Sequence, residues 1–240
     1  MANWQDPQMT GAEQATVSVP RAARDAGLRS YMLKVYNYMA SGVALTGIVA
    51  LLFSSSGYAE RIMMGGGIMP WIIILSPLAI VFAMSFGAAR MATSTLQMLF
   101  WAFATLMGLS MSTVFLVYTG TSIAQTFFAV TAAFAGLSLY GYTTKKDLSG
   151  FGTFLIMGVV GLIVASLLNM WLQSSALALG ISAIGVLLFA GLTAYDTQRI
   201  KSIYFQVQDS DMLGKTAILG ALSLYLDFIN MFQFMLSFMG

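Results

Sequence analysis

Two aspartates, Asp196 and Asp227, lie within long apolar segments near the end of this 240-residue chain. A carboxylate in the hydrocarbon core of a membrane is costly, so such residues are rare and mark candidate functional sites. If the two carboxyl groups approach each other, they cannot both ionise cheaply, and they would hold one proton between them. Loss of that proton leaves two negative charges, and hard cations such as calcium prefer carboxylate oxygens. The pair therefore predicts a proton-sensitive gate, or a calcium site, formed by Asp196 and Asp227 without any cofactor.

The last apolar segment also carries a stripe of polar residues around Asp227. Spacings of three and four residues place them within an arc of roughly 120° on one helical face. Such a stripe must face protein or water, because lipid would leave its polar groups unsatisfied. It could be a hydrogen-bonded packing face or the wall of an ion path, and a carboxylate in mid-helix favours the path. The other members of the stripe are Ser223, Asn230, Gln233 and Ser237.

Two arginines could act on Asp196. Arg199 follows it by three residues and could form an interfacial salt bridge on the same helix face. Arg90, at the end of the second apolar segment, reaches the same membrane face. It could be a snorkelling topology marker, or it could clamp Asp196 and close a pore. The sequence does not choose between these roles.

The composition indicates a membrane protein. Hydrophobic residues make up 58% of the chain and charged residues only 8%, whereas a soluble domain carries about 25% charged residues. The absence of cysteine and histidine excludes disulfides, a thiol nucleophile, a Cys/His zinc site and a Ser-His-Asp triad. The net charge of +2 gives no indication of nucleic-acid binding, so we expect the lipid bilayer, calcium or protons as partners.

The elements that position these residues are seven apolar stretches, each long enough to cross a membrane. A spanning helix needs about 20 apolar residues. The stretches predict an all-α transmembrane domain over residues 30–240, after a polar tail at residues 1–29. Their predicted bounds are Tyr31–Phe53, Pro70–Ala89, Leu96–Tyr118, Ser122–Tyr142, Phe151–Leu172, Ala176–Ile200 and Ala217–Phe238.

The basic residues predict the orientation of the chain. If the N-terminus is cytoplasmic, ten of the 11 Lys and Arg residues lie on the inner side, and only Arg61 lies outside. The positive-inside rule expects such an asymmetry. The C-terminus, after seven crossings, is then predicted to lie outside.

Four further features of the sequence are informative together. They are the segment 221–230 (ALSLYLDFIN), Tyr195-Asp196 with Ile200-Lys201, the segment 145–149 (KKDLS), and Arg90. Together these features resemble the transmembrane Bax inhibitor motif family, and its bacterial members most. That resemblance implies a seven-helix bundle in the bacterial inner membrane, with the last helix surrounded by the other six. It also implies a pH-sensitive calcium leak in which Asp196 and Asp227 form the acidic pair and Arg90 is the latching cation.

Other functions fit parts of the sequence. Some bacterial relatives in that family are described as modulators of a membrane-bound protease, so a non-transporting partner of another membrane protein is the main alternative. An intramembrane aspartyl protease also pairs two aspartates, but it carries Gly-x-Gly before the second one, where this chain has the bulky Leu224, Tyr225 and Leu226. A retinal receptor would need a lysine in the middle of the last span. We therefore predict a pH-sensitive cation leak with no enzymatic activity.

Overall fold

A computed structural model describes residues 21–239, so positions 1–20 of the predicted tail lie outside the described residues. Within the described part the chain forms α-helices and no strand. Seven helical segments are long and apolar enough to cross a membrane, which confirms the predicted number. The helices are α1 (Arg21–Ser55), α2 (Tyr58–Met64), α3 (Met69–Gly87), α4 (Thr93–Met111), α5 (Val114–Val117), α6 (Gly120–Thr143), α7 (Ser149–Leu172), α8 (Ser175–Val207) and α9 (Met212–Met239).

Helix α1 begins ten residues before the predicted Tyr31, so part of the predicted polar tail is helical. The predicted bounds also differ from the structure between the last two spans. Helix α8 continues past Ile200 to Val207, and α9 already begins at Met212, so the long loop expected over residues 202–216 is only a short turn. The added turns of α8 are amphipathic rather than apolar. They pack through Tyr204, which is buried and lies 5.3 Å from the ring of Tyr31.

The third predicted span is interrupted near its C-terminal end, where α4 ends at Met111 and the short α5 follows. Ser112 and Thr113 each donate a side-chain hydrogen bond to a carbonyl three residues earlier. Serine and threonine side chains that bond to nearby backbone compete with the regular helical ladder. The break therefore coincides with a local change in hydrogen bonding and not with a loss of hydrophobicity.

Helix α9 is the most buried spanning helix in the described part of the chain. It packs against α1, α4, α6 and α8. Helix α3 lies farther out and packs mainly on α4, while α7 packs on α8. The arrangement places Asp227 in the interior of the bundle and leaves a gap beside α7.

Tyr225 joins α9 to two neighbouring helices. Its hydroxyl donates to Thr46 Oγ1 at 2.6 Å, because the Thr46 hydroxyl itself donates to the Ala104 carbonyl at 2.8 Å. The ring is fully buried and meets Phe103 edge to face at 5.0 Å. Tyr225 thus fixes the rotation of α9 two residues before Asp227.

Tyr225→Phe should reduce the free energy of unfolding by about 1 kcal/mol, because it removes one buried hydrogen bond and keeps the ring packing. Reversible unfolding in mixed micelles would measure this change. Tyr58→Phe is the control, since that side chain is 59% exposed. Equal stabilities for the two variants would contradict the role given to the Tyr225 hydroxyl.

Candidate functional site

Asp196 and Asp227 line the same cavity. The cavity has a volume of about 640 Å³ and lies between α7, α8 and α9. Helix α8 supplies Asp196 and α9 supplies Asp227, while α7 contributes mostly aliphatic side chains such as Val160 and Leu167. The structure therefore brings the two predicted acids together in one largely apolar chamber.

The carboxyl group of Asp227 is enclosed and incompletely hydrogen-bonded. Its side chain is 4% exposed, and its Oδ2 has no hydrogen-bond partner within the described part of the chain. Asp196 is half-buried and lines the same cavity. Burying an uncompensated charge is unfavourable. A proton or a cation in the cavity would satisfy this oxygen.

The predicted polar stripe of α9 divides into two parts. Ser223 and Asn230 line the cavity on either side of Asp227. Asn230 donates through Nδ2 to the Leu226 carbonyl at 2.8 Å, which leaves its Oδ1 as an acceptor. Gln233 is exposed and lies outside this cavity wall, and Ser237 accepts a hydrogen bond from Ser182 of α8 at 3.2 Å. The stripe thus serves as cavity wall near Asp227 and as a packing contact near its end.

The two arginines occupy different places. Arg90 is exposed in the turn after α3 and does not line the cavity that holds the acid pair. Arg199 is also exposed, and it lies three residues after Asp196 on α8. Of the two predicted partners, Arg199 is therefore the one within a helical turn of Asp196.

The residues flanking Asp196 are packed tightly against three helices. The Thr197 hydroxyl donates its one hydrogen to the Thr193 carbonyl at 2.8 Å. It therefore accepts a hydrogen bond from the Ser138 hydroxyl of α6 at 3.0 Å. Ser138 in turn accepts from the Tyr36 hydroxyl of α1 at 2.5 Å. The ring of Tyr195 lies directly on Gly152 of α7. These contacts fix the position of Asp196 along α8.

The turn between α6 and α7 is held against α8 by Gln198. Its Oε1 accepts from the Leu148 N–H at 2.9 Å, and its Nε2 donates to the Lys146 carbonyl at 2.8 Å. In the same turn, hydrogen bonds from the hydroxyl and the N–H of Ser149 hold the pKa of Asp147 below its ordinary value. The sequence did not predict the two hydrogen bonds of Gln198, because a glutamine two residues after Asp196 has many possible partners.

The cavity has few ligands for a resident metal ion. No group of three or more His, Cys, Asp or Glu side chains is close enough to hold a metal among the described residues. Calcium takes six to eight oxygen ligands, and here only two acidic side chains face the cavity, beside the neutral oxygens of Ser166, Ser223 and Asn230. This sparse donor set suits a transient ion better than a tightly bound one.

Comparison with known proteins places the chain among membrane proteins of bacteria. Residues 28–240 match the protein family described as "Inhibitor of apoptosis-promoting Bax1". The inner membrane protein YbhL of Escherichia coli K12 is 43% identical over 217 residues, which is 90% of this chain and 93% of the relative. A protein of Rickettsia prowazekii is 47% identical over 90% of this chain and 91% of its own length. A protein of Caulobacter vibrioides is 45% identical over 95% and 93%, respectively.

Proposed function

The chain belongs to the family of inhibitors of apoptosis-promoting Bax1, and on that premise we propose that it is a proton-linked cation leak with calcium as the permeant ion. It is a multi-pass inner membrane protein, given its seven apolar helices and its inner-membrane relative YbhL. The observation that carries the leak is the cavity shared by Asp196 and Asp227, with one Asp227 oxygen unpartnered in the described part of the chain. We further propose a cytoplasmic N-terminus, as the distribution of Lys and Arg predicts.

The proton controls the charge of the cavity. With both carboxyl groups ionised, the cavity attracts cations but the two charges repel each other. Protonation removes charge, which weakens cation binding and also weakens the attraction between Asp196 and Arg199. Because the two carboxyl groups line one cavity, we expect them to titrate as a unit. Cation flux should therefore depend on the proton held by the pair.

Two observations support transport over the alternatives. Leu224 and Tyr225 are fully buried, so the chain just before Asp227 offers no open backbone for a protein substrate. The Asp227 oxygen without a partner can be satisfied by a proton or a cation in the cavity, whereas a role restricted to binding another membrane protein does not require a carboxylate there. We propose accordingly that the protein has no enzymatic activity.

Calcium flux into liposomes containing the purified protein tests this function. Wild-type protein should carry calcium faster than protein-free liposomes, and flux should change between pH 6 and 8. Wild-type flux equal to that of protein-free liposomes would refute the leak and would favour the non-transporting partner role.

Ser223→Leu should lower calcium flux about tenfold or more at every pH, because it fills the cavity beside Asp227 with an apolar side chain. A tenfold change corresponds to about 1.4 kcal/mol in the barrier. Thr131→Leu is the matched control, since Thr131 is exposed on α6 and lines no part of this cavity. Equal flux in the two variants would show that the ion path does not pass Ser223.

A further inference from the structure

A second groove lies at the end of the bundle where α1 begins. It has a volume of about 680 Å³ and is formed by one face of α1 and by Trp101 of α4. This groove contains none of the residues of the acid-pair cavity. The side chains that matter here are Arg29, Lys34, Asn37, Tyr38, Ser41 and Trp101.

The groove runs from the polar end of α1 into the membrane span. At 1.5 Å per residue, Arg29 and Ser41 are separated by about 18 Å along the helix axis. All four polar residues fall within the candidate span Asp25–Ser55, with both cations nearer its polar N-terminal end and Asn37 and Ser41 farther along it. The groove is therefore polar over a length that would otherwise face lipid tails.

Polar groups on this face need partners from outside the bundle. Lys34 and Asn37 are exposed, and the Ser41 hydroxyl already donates to the Asn37 carbonyl at 2.5 Å. Exposed polar groups at membrane depth are unfavourable unless something satisfies them. Asp25, one turn before Arg29, is the nearest acid on α1, but it does not line the groove. A ligand in the groove would therefore meet two positive charges and no negative side chain among the described lining residues.

The deeper wall of the groove is aromatic. The Tyr38 and Trp101 rings lie 6.2 Å apart, and Phe100 stacks behind Trp101 edge to face at 5.5 Å. Aromatic residues of this kind lie at the level of lipid headgroups. Basic pockets between helices near a membrane surface bind the headgroups of anionic lipids. A soluble phosphate would engage only the two cations, whereas a phospholipid would also cover the aromatic wall.

We propose that this groove binds one anionic phospholipid, with its phosphate near Arg29 and Lys34 and its glycerol region beside Asn37. The two cations at the polar end of the groove complement the negative charge of the phosphate. The apolar and aromatic wall toward the membrane interior complements the rest of the lipid. This site is independent of the proposed ion leak.

Lipid retention by the purified full-length protein tests the charge match. The protein would be extracted from vesicles of phosphatidylglycerol mixed with phosphatidylcholine, and the bound lipids would be identified by mass spectrometry. The double variant Arg29→Gln/Lys34→Gln should retain at least about fivefold less phosphatidylglycerol than wild type, a loss of about 1 kcal/mol. Lys145→Gln/Lys146→Gln makes the same change in net charge with two exposed residues elsewhere, and it should retain wild-type amounts. Equal losses in both double variants would overturn the site.

Cross-linking identifies what occupies the groove. The chain has no cysteine, so Asn37→Cys gives a unique attachment point for a photoreactive label. A phospholipid adduct that persists in excess glycerol phosphate would support the site. An adduct to a second copy of the chain, or to residues 1–20 of the same chain, would overturn it.

Discussion

Asp227→Asn should abolish the pH dependence of calcium flux while leaving a folded protein in the membrane. Asparagine has nearly the same shape as aspartate, but it cannot gain or lose a proton near neutrality. Wild-type flux should differ clearly between pH 6 and pH 8, since each pH unit changes the ratio of the two protonation states of the pair tenfold. The variant should give nearly equal flux at pH 6 and pH 8 in the same liposome assay.

The size of this effect follows from the enclosure of Asp227. Its side chain is 4% exposed, so its protonation is set by the cavity around it. Asp196 of α8 is the other carboxylate that lines this cavity, and in Asp227→Asn it has no second carboxyl group with which to share a proton. If Asp227→Asn retained the wild-type pH profile, the proton that controls flux would have to bind elsewhere, and the proposed function would fail.

Asp147→Asn is the matched control for this experiment. Hydrogen bonds from Ser149 lower the pKa of Asp147, so this carboxyl group is more acidic when folded than when unfolded. A group with a lowered folded pKa adds stability above its unfolded pKa of about 3.9 and loses it as pH falls through the folded value. Asp147 therefore stays ionised from pH 6 to pH 8, and the control should keep the wild-type flux profile.

The sequence predicted the spanning helices because hydrophobicity reports directly on lipid contact. It placed the start of α7 within two residues, at Phe151 against Ser149, because a charged segment precedes it. It missed the last two turns of α8, which extend beyond the apolar segment. Those turns are held by the contact between Tyr204 and Tyr31, and the two residues are far apart in sequence. Hydropathy has no means of detecting such a pairing.

The acid pair was also predictable, because a carboxylate in an apolar segment stands out without knowledge of its neighbours. The rest of the cavity was not. Ser166 of α7 and Leu226 of α9 line it, yet each resembles many other residues of the spans. The roles of Arg199 and Gln233 depend on how the helices rotate and pack. A polar stripe predicts one face of a helix, but the packing of the bundle determines which part of that face lines a cavity and which part contacts another helix.

Gly141 of α6 lies close against the backbone of α8. A Cβ atom added at Gly141 would overlap the Ala194 carbonyl oxygen and would lie 3.0 Å from the Ala194 Cα. These are backbone atoms, so a side-chain rotation cannot relieve the overlap, and the two helices would have to separate. Overpacking in a close-packed interior costs 1–3 kcal/mol and occasionally more. We expect Gly141→Ala to reduce the free energy of unfolding by about 3 kcal/mol.

Gly136→Ala, on the same helix, separates this steric effect from helix propensity. A Cβ atom at Gly136 has no neighbour within 4 Å, and alanine favours a helix over glycine by up to about 1 kcal/mol. This variant should match or exceed wild type in reversible unfolding, whereas Gly141→Ala should be clearly less stable. Because Ala194 lies two residues before Asp196, separating α6 from α8 should also disturb the acid-pair cavity, and Gly141→Ala should lower calcium flux per folded molecule. Equal stabilities for the two alanine variants would mean that α6 and α8 are not in backbone contact, and the placement of Asp196 would then need another cause.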